Sequence, residues 1–376
     1  MNDGSDIPPD AFLIPASDPG RAYIADQAEI DTALSRVLGS GWYILGKECR
    51  AFESAFASYL NISGVVGVSS GTDAIELALR GLEIGEGDEV ILPALTSSAT
   101  ATAVVRAGAT PVFADIESGS FGLDATSAES VISPRTKALM PVHLYGHPCD
   151  LDRLGDLCHT RGLELIEDCA QAHGAEWGGR KVGTHGSAGA FSFYPTKNLA
   201  GLGDSGALVS GDSETIDRVC EIRQYGWHHR QVSSEVGMNS RMDELQAAVL
   251  TIRVEKVGAR NKRRLEIANR YRHALTSSSL INPPTHPRAT PVYHQYVIRA
   301  ADRDALRSHL IESRIQAQVL YPVPLHLQKA FSNYPSARDL SNTVRATEEL
   351  LCLPVHPELT DHEVDTVVDT ILAFLG

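Results

Sequence analysis

From about residue 65 the chain alternates short β-branched apolar runs with stretches whose apolar residues recur every three or four positions. "VVGVSS" leads into a helical period over "TDAIELALRGL", "DEVILPA" precedes "ATATAVVRAG", and "TPVFADI" follows. Next come the apolar run "KALMPVHLYG", a helix over "DLDRLGDLCHTRG" and the strand "LELIEDCA". Strands alternating with helices of about a dozen residues predict an α/β fold whose largely parallel sheet is covered on both faces. Ligands of such sheets collect beyond the C-terminal ends of the strands, so the search for chemistry starts there.

From about Arg241 the pattern changes. "RMDELQAAVLTIRVEKVGARNKRRLEIANRYRHAL" reads as one long helix with Met242, Leu245, Val249 and Ile252 on one face and a candidate kink at Gly258. After the proline-bearing "NPPTHPRATP" the spacing predicts a strand over "YHQYVIRA", a helix from Asp302, a strand over "IQAQVLYP" and two closing helices. The expected organisation is a flexible tail at 1–12, a large α/β domain at 13–254 and a smaller α+β domain at 255–376.

Composition narrows the function. The chain has 376 residues and a net charge of −14, which argues against a protein held mainly by nucleic-acid phosphates. No stretch approaches the roughly 20 apolar residues of a membrane helix, and the acidic start "MNDGSDIPPDAF" lacks the pattern of a signal peptide. Six scattered cysteines without a Cys-x-x-Cys pair point to reduced thiols in the cytoplasm. His147, Cys149, Cys158 and His159 fit no usual zinc spacing, so no metal is expected.

Three strand ends carry candidate chemistry. In "VGVSSGTDAIELAL" the helix opening at Gly71, Thr72 and Asp73 offers free N–H groups to a phosphate, although Ser or Thr there also serves as an ordinary N-cap. In "GLELIEDCAQAHG" Glu167 and Asp168 end an apolar strand, with Gln171 and His173 close behind. A carboxylate in that place could hold a protonated nitrogen, coordinate a metal or cap a loop. In "AFSFYPTKNLAGLGDSGALVS" Lys197 stands between an apolar run with Phe191 and Phe193 and a glycine-rich stretch. Burial would lower its pKa and yield the neutral amine that attacks carbonyls; the alternative is a loop lysine in water. A phosphate cradle, a carboxylate for a pyridinium nitrogen and a carbonyl-seeking lysine together fit pyridoxal phosphate. The literal G-x-G-x-x-G of Gly201, Gly203 and Gly206 is followed by the strand "ALVS" rather than a helix, which disfavours a dinucleotide site.

The segments "SSGTDAIELAL", "IEDCAQAHGA", "FSFYPTKNLAGLGDSGA", "QYGW" and "GMNSRMDELQAAVL" resemble the DegT/DnrJ/EryC1/StrS family of pyridoxal-phosphate-dependent sugar aminotransferases. The likeness runs from "ALSRVLGSGWYILGKECRAFE" to "YPVPLHLQ" and beyond. It implies a fold-type I aminotransferase and a homodimer with shared active sites. By this resemblance Lys197 carries the cofactor, Asp168 faces the pyridine nitrogen and Gln171 lies near the phenolic oxygen. Thr72, the backbone of Gly71 and Asp73, and Ser192 would hold the phosphate, while Asn239 would reach the phosphate of the neighbouring subunit's site. Tyr321 and His326 match substrate-side positions, and the loop residues His228, His229 and Arg230 either meet a substrate pyrophosphate or are merely solvated. At Ser97 the chain departs from the family, which commonly has an aromatic residue there to stack on the cofactor ring.

The resemblance further implies ping-pong transfer of an amino group from L-glutamate or L-glutamine, by way of pyridoxamine phosphate, to a keto group of a nucleotide-linked deoxysugar. An aminocyclitol aminotransferase and a non-catalytic regulator that binds the cofactor or a sugar are the alternatives. The presence of Lys197 speaks against the related sugar dehydratases, which replace it.

Overall fold

The computed structural model describes residues 12–283 and 286–376; the expected flexible tail falls almost wholly on 1–11, outside the described residues. Its centre is a seven-stranded sheet with strands β1 (Gly64–Val68), β2 (Glu89–Pro93), β3 (Thr110–Ala114), β4 (Thr136–Leu139), β5 (Glu164–Asp168), β6 (Ala188–Ser192) and β7 (Gly206–Ser210). The spatial order is β1-β7-β6-β5-β4-β2-β3. β7 runs against both its neighbours, and the remaining pairs are parallel.

Side chains alternate across the pleat and sort into two cores. Ile91, Leu139, Leu165 and Phe191 face a layer that includes helix Lys47–Leu60 and the start of helix Glu244–Leu275. Val90, Leu92, Ala138, Ile166 and Ala190 face helices Gly71–Gly81, Ser98–Arg106 and Ser213–Ile222. The first layer is aromatic at its middle: Phe56 lies 5.1 Å from Phe191 and 5.5 Å from Phe193 between ring centroids, both edge-on.

A third apolar cluster gathers the C-terminal residues around Tyr271, Tyr296, Leu310, Leu353 and Ile371. Ile14 joins it and bridges to Ile315, so the first described segment is tied to the C-terminal core rather than to the sheet. One open point in this region is settled and one expectation is corrected. Helix Glu244–Leu275 passes through Gly258 without a break, because Val254, Val257 and Ile267 anchor it on either side of a residue that costs a helix only about 1 kcal/mol. "IQAQVLYP" is not a strand; the partner of Tyr296–Arg299 is Leu350–Leu353, a buried run continuing directly from helix Ser341–Glu349. Gln318 merely bridges to its edge at Cys352. Among the described residues no helix is long and apolar enough to cross a membrane.

Phe56 is fully buried against three other aromatic rings besides Tyr59. Phe56→Ala is expected to cost about 3–5 kcal/mol. An unchanged denaturant midpoint would show that this ring cluster does not hold the layer together.

Candidate active site

The strand ends meet at one cavity of about 290 Å³. Gly71, Thr72, Ser97, Asp168, Gln171, Ser192, Lys197 and Tyr321 all line it.

The cradle forms at the start of helix Gly71–Gly81. Ser70 caps it, its hydroxyl accepting from Asp73 N–H at 3.1 Å, and Ala74 N–H donates to the Ser70 carbonyl. The N–H groups of Gly71 and Thr72 are left without a partner among the described residues, at the positive end of the helix dipole. A Cβ on Gly71 would lie 2.6 Å from Cβ of Ser192, and one on Gly206 would lie 2.4 Å from the Ser70 carbonyl. These two glycines let the helix end sit directly on the ends of β6 and β7. Asp73 shapes the cradle without lining it: its carboxylate accepts from Ser69 and from Ser240 at 2.8 Å and pairs with Arg106 at 3.2 Å. Gly201 and Gly203 pack on Gln246, and Gly206 opens a strand, which removes the dinucleotide reading.

At the opposite wall the pleat separates two neighbouring carboxylates. Glu167 turns to the far face, where it accepts from the N–H groups of Gly183 at 2.8 Å, His185 at 2.7 Å and Gly186 at 2.9 Å. Its remaining bond is to His143 Nε2 at 3.0 Å, so the cap reading holds for Glu167. His143, Glu167 and Cys169 gather ligand atoms within 4.8 Å, but these backbone bonds already occupy both Glu167 oxygens. Asp168 faces the cavity and is buried; it accepts from Thr100 Oγ1 at 2.9 Å and Ala170 N–H at 3.1 Å. Burial raises its pKa, and those two donors and the charge of Lys197 oppose the shift.

Lys197 is held in a tight turn by its N–H to the Tyr194 carbonyl at 2.9 Å. Burial pushes its ammonium down to about 8, with Asp168 pulling back. Gln171 is fixed at both ends: Oε1 accepts from Tyr145 N–H at 2.7 Å and Nε2 donates to Tyr321 Oη at 2.7 Å. The hydrogen on Tyr321 Oη is thereby left unclaimed. His173 is buried between Phe191 and Phe193, and burial pushes it down to about 3, so its ring is neutral.

The family model for the DegT/DnrJ/EryC1/StrS aminotransferase family matches residues 25–372. The chain belongs to this family. It is 44% identical over 360 residues to the dTDP-3-amino-3,4,6-trideoxy-alpha-D-glucose transaminase of Streptomyces venezuelae, covering 95% of each chain. It is 40% identical to the dTDP-3-amino-3,6-dideoxy-alpha-D-galactopyranose transaminase of Aneurinibacillus thermoaerophilus, covering 96% of this chain and 99% of that one. The crystal structure of S. venezuelae DesV in complex with a ketimine intermediate superposes with a TM-score of 0.94 at 44% identity, over 96% of this chain and 98% of that one. The protein is thus a pyridoxal-phosphate-dependent aminotransferase of fold type I.

In this aminotransferase several expected site residues lie away from the cavity. Asn239 is exposed and bridges to Gln224, and His228, His229 and Arg230 sit on an exposed hairpin beginning at Trp227, where His228 pairs with Glu221 at 2.8 Å. His326 lies in the turn Leu325–Leu327 and does not line the cavity. Sequence reasoning missed Thr100, Thr96 and Asp204, which do line it. The signal for the threonines was their spacing of four about the cap, Thr100 in the first turn of helix Ser98–Arg106 and Thr96 just before it, which leaves their hydroxyls 3.1 Å apart. Ser97 caps helix Ser98–Arg106, its hydroxyl accepting from Ala99 N–H at 3.3 Å.

Lys197 makes the stability of the cofactor-free protein depend on pH. Its folded pKa lies below the ordinary 10.5, so the charged form destabilises the folded state and the neutral form relieves that cost. Stability from this group is lowest below about pH 8 and rises as pH climbs from about 8 toward 10.5. Denaturation of the apoprotein should follow that slope, and Lys197→Met should flatten it; equal slopes in both proteins would contradict the assignment.

Proposed function

We propose that this aminotransferase moves an amino group from L-glutamate or L-glutamine to the C-3 keto group of a dTDP-linked deoxysugar. The observation that supports it most is one cavity that joins amine, carboxylate and helix-end cradle, in a chain 40–44% identical to two transaminases named for 3-amino sugars.

The donor set fits the cofactor. Gly71 and Thr72 N–H, with the Ser192 hydroxyl beside them, would hold the phosphate, and the close approach at Gly71 leaves no side chain in its way. Pyridoxal phosphate supplies an aldehyde that links to amines and a protonated ring that draws negative charge away from the reacting carbon. Asp168, kept dry with two donors on its oxygens, would hold a proton on the ring nitrogen. Lys197 would carry the cofactor until an amino donor displaces it. The freed amine, poised near neutrality, then takes the proton from the donor's α-carbon. In the second half of the cycle it returns a proton to the sugar carbon that receives nitrogen. Gln171 would lie beside the phenolic oxygen, and the unclaimed hydroxyl hydrogen of Tyr321 is free for the sugar.

The reading includes a homodimer. Asn239 and the hairpin with His228, His229 and Arg230 lie outside the cavity of their own chain, and we assign them to the partner's. Exposed Trp42, Tyr43, Tyr225 and Val236 supply apolar surface for the contact.

With L-glutamate and a panel of keto-sugar nucleotides, amine transfer should appear on a dTDP-3-keto-deoxysugar and fall at least about 10³-fold in Lys197→Ala. Turnover of an inosose alone would favour the cyclitol reading, and cofactor binding without any turnover would favour a regulator. A second measurement tests the shared site. Mixing inactive Lys197→Ala with inactive Asn239→Ala subunits should restore up to about a quarter of wild-type activity by random pairing; no recovery in verified mixed dimers counts against the placement of Asn239.

A further inference from the structure

Behind the lysine loop lies a second cavity, of about 40 Å³, that the proposed reaction leaves idle. Its walls come from residues 17–19, 195–198 and 356–358 and from helix Glu244–Leu275, which contributes Arg253, Arg260 and Arg264.

Arg253 and Arg264 are 6% and 5% exposed. Each spends one nitrogen on backbone carbonyls: Arg253 Nη1 donates to Ala200 at 2.6 Å, and Arg264 Nη1 donates to Tyr293 at 3.2 Å and to Val355. Among the described residues Arg253 Nη2 and the Nε atoms of both arginines are buried without any hydrogen-bond partner. Such donors are rarely left unmet in folded proteins.

The charges are also unevenly paired. Asp26 takes Lys256 at 2.9 Å and Arg260 at 3.3 Å, with Arg253 Nε farther off at 3.7 Å. Glu358 takes Arg260 and accepts from His356 Nδ1 at 3.2 Å. Glu29 reaches only Lys256, and Arg21 is shared between Asp18 at 3.2 Å and Glu363 at 2.8 Å. Among the described residues Arg264 has no carboxylate within ion-pair distance. Burial pushes its guanidinium down to about 10, which still leaves it charged at neutral pH. Waters could satisfy the N–H groups, but they would leave Arg264 with only the more distant field of Glu358 and no ion-pair partner of its own.

We propose that this cavity binds one small monovalent anion, a halide or a short carboxylate, between Arg253 and Arg264. The volume has room for about three waters and excludes a pyrophosphate or a dicarboxylic amino acid. The anion joins the loop that carries Lys197 to the segment around His356, so its binding stabilises the loop's seat by linkage.

Crystals of the holoenzyme grown in bromide should show an anomalous peak between the Arg253 and Arg264 guanidinium groups. Thermal unfolding of the holoenzyme at fixed ionic strength, with gluconate replaced by chloride or by formate, should rise by about 2–4 °C. The larger rise tells whether the natural occupant is a halide or a carboxylate. Arg253→Met should abolish the anion dependence. A cavity that holds only water at saturating bromide overturns the proposal in the wild-type protein alone, whatever the variant does. So does a bromide peak without any anion-dependent rise, which would mark an adventitious ion only, or an equal rise in Arg253→Met.

Discussion

The active site depends on a contact that has no side chain in it. The first turn of helix Gly71–Gly81 rests on the ends of β6 and β7 because neither Gly71 nor Gly206 carries a Cβ. A methyl group at either position would force the helix away from Ser192 or drive β7 off the Ser70 carbonyl. That spacing sets the separation between two free N–H groups on one wall and the lysine loop on another. Cap, strand ends and loop therefore behave as one rigid frame, and the chemistry inherits its geometry from backbone packing.

Within the frame the electrostatics follow from the pleat. Glu167 and Asp168 are adjacent in sequence and opposite in fate. One faces the apolar layer under helix Lys47–Leu60 and ties down the loop at 183–186 through three N–H groups. The other faces helix Ser98–Arg106 and presents its carboxyl group to the cavity. Lys197 feels two opposing effects, desolvation and the Asp168 carboxylate, and desolvation dominates. The neutral amine is the form that can act as a base, so in the proposed reaction the buried setting of this lysine would serve the chemistry directly.

Much of this was legible in the sequence. Short β-branched apolar runs located the parallel strands, and the strand-end rule led to Gly71, Asp168 and Lys197. What was less legible came from contacts distant along the chain. Leu350–Leu353 looks like the tail of a helix until Tyr296–Arg299 is placed beside it. Thr100 reads as one small residue in a helix, and only the fold carries it 68 positions along the chain to Asp168. The capacity of Glu167 to cap a loop was one of three open readings, settled by N–H groups 16 to 19 residues onward. Asn239 and the hairpin from Trp227 show the reverse case, in which motif likeness gives a role that the single chain does not assemble.

The antiparallel course of β7 has a consequence for how such a protein can change. Ser192 pairs with Gly206, and Phe193 N–H reaches the Ser205 carbonyl at 2.8 Å, so the lysine hangs in a hoop whose two feet stand on the same rim of the sheet. A hoop anchored this way can be lengthened, shortened or rebuilt between its feet without disturbing the register of any strand. Natural variation and directed evolution thus have a place to retune the reach of Lys197 while the scaffold beneath it stays untouched.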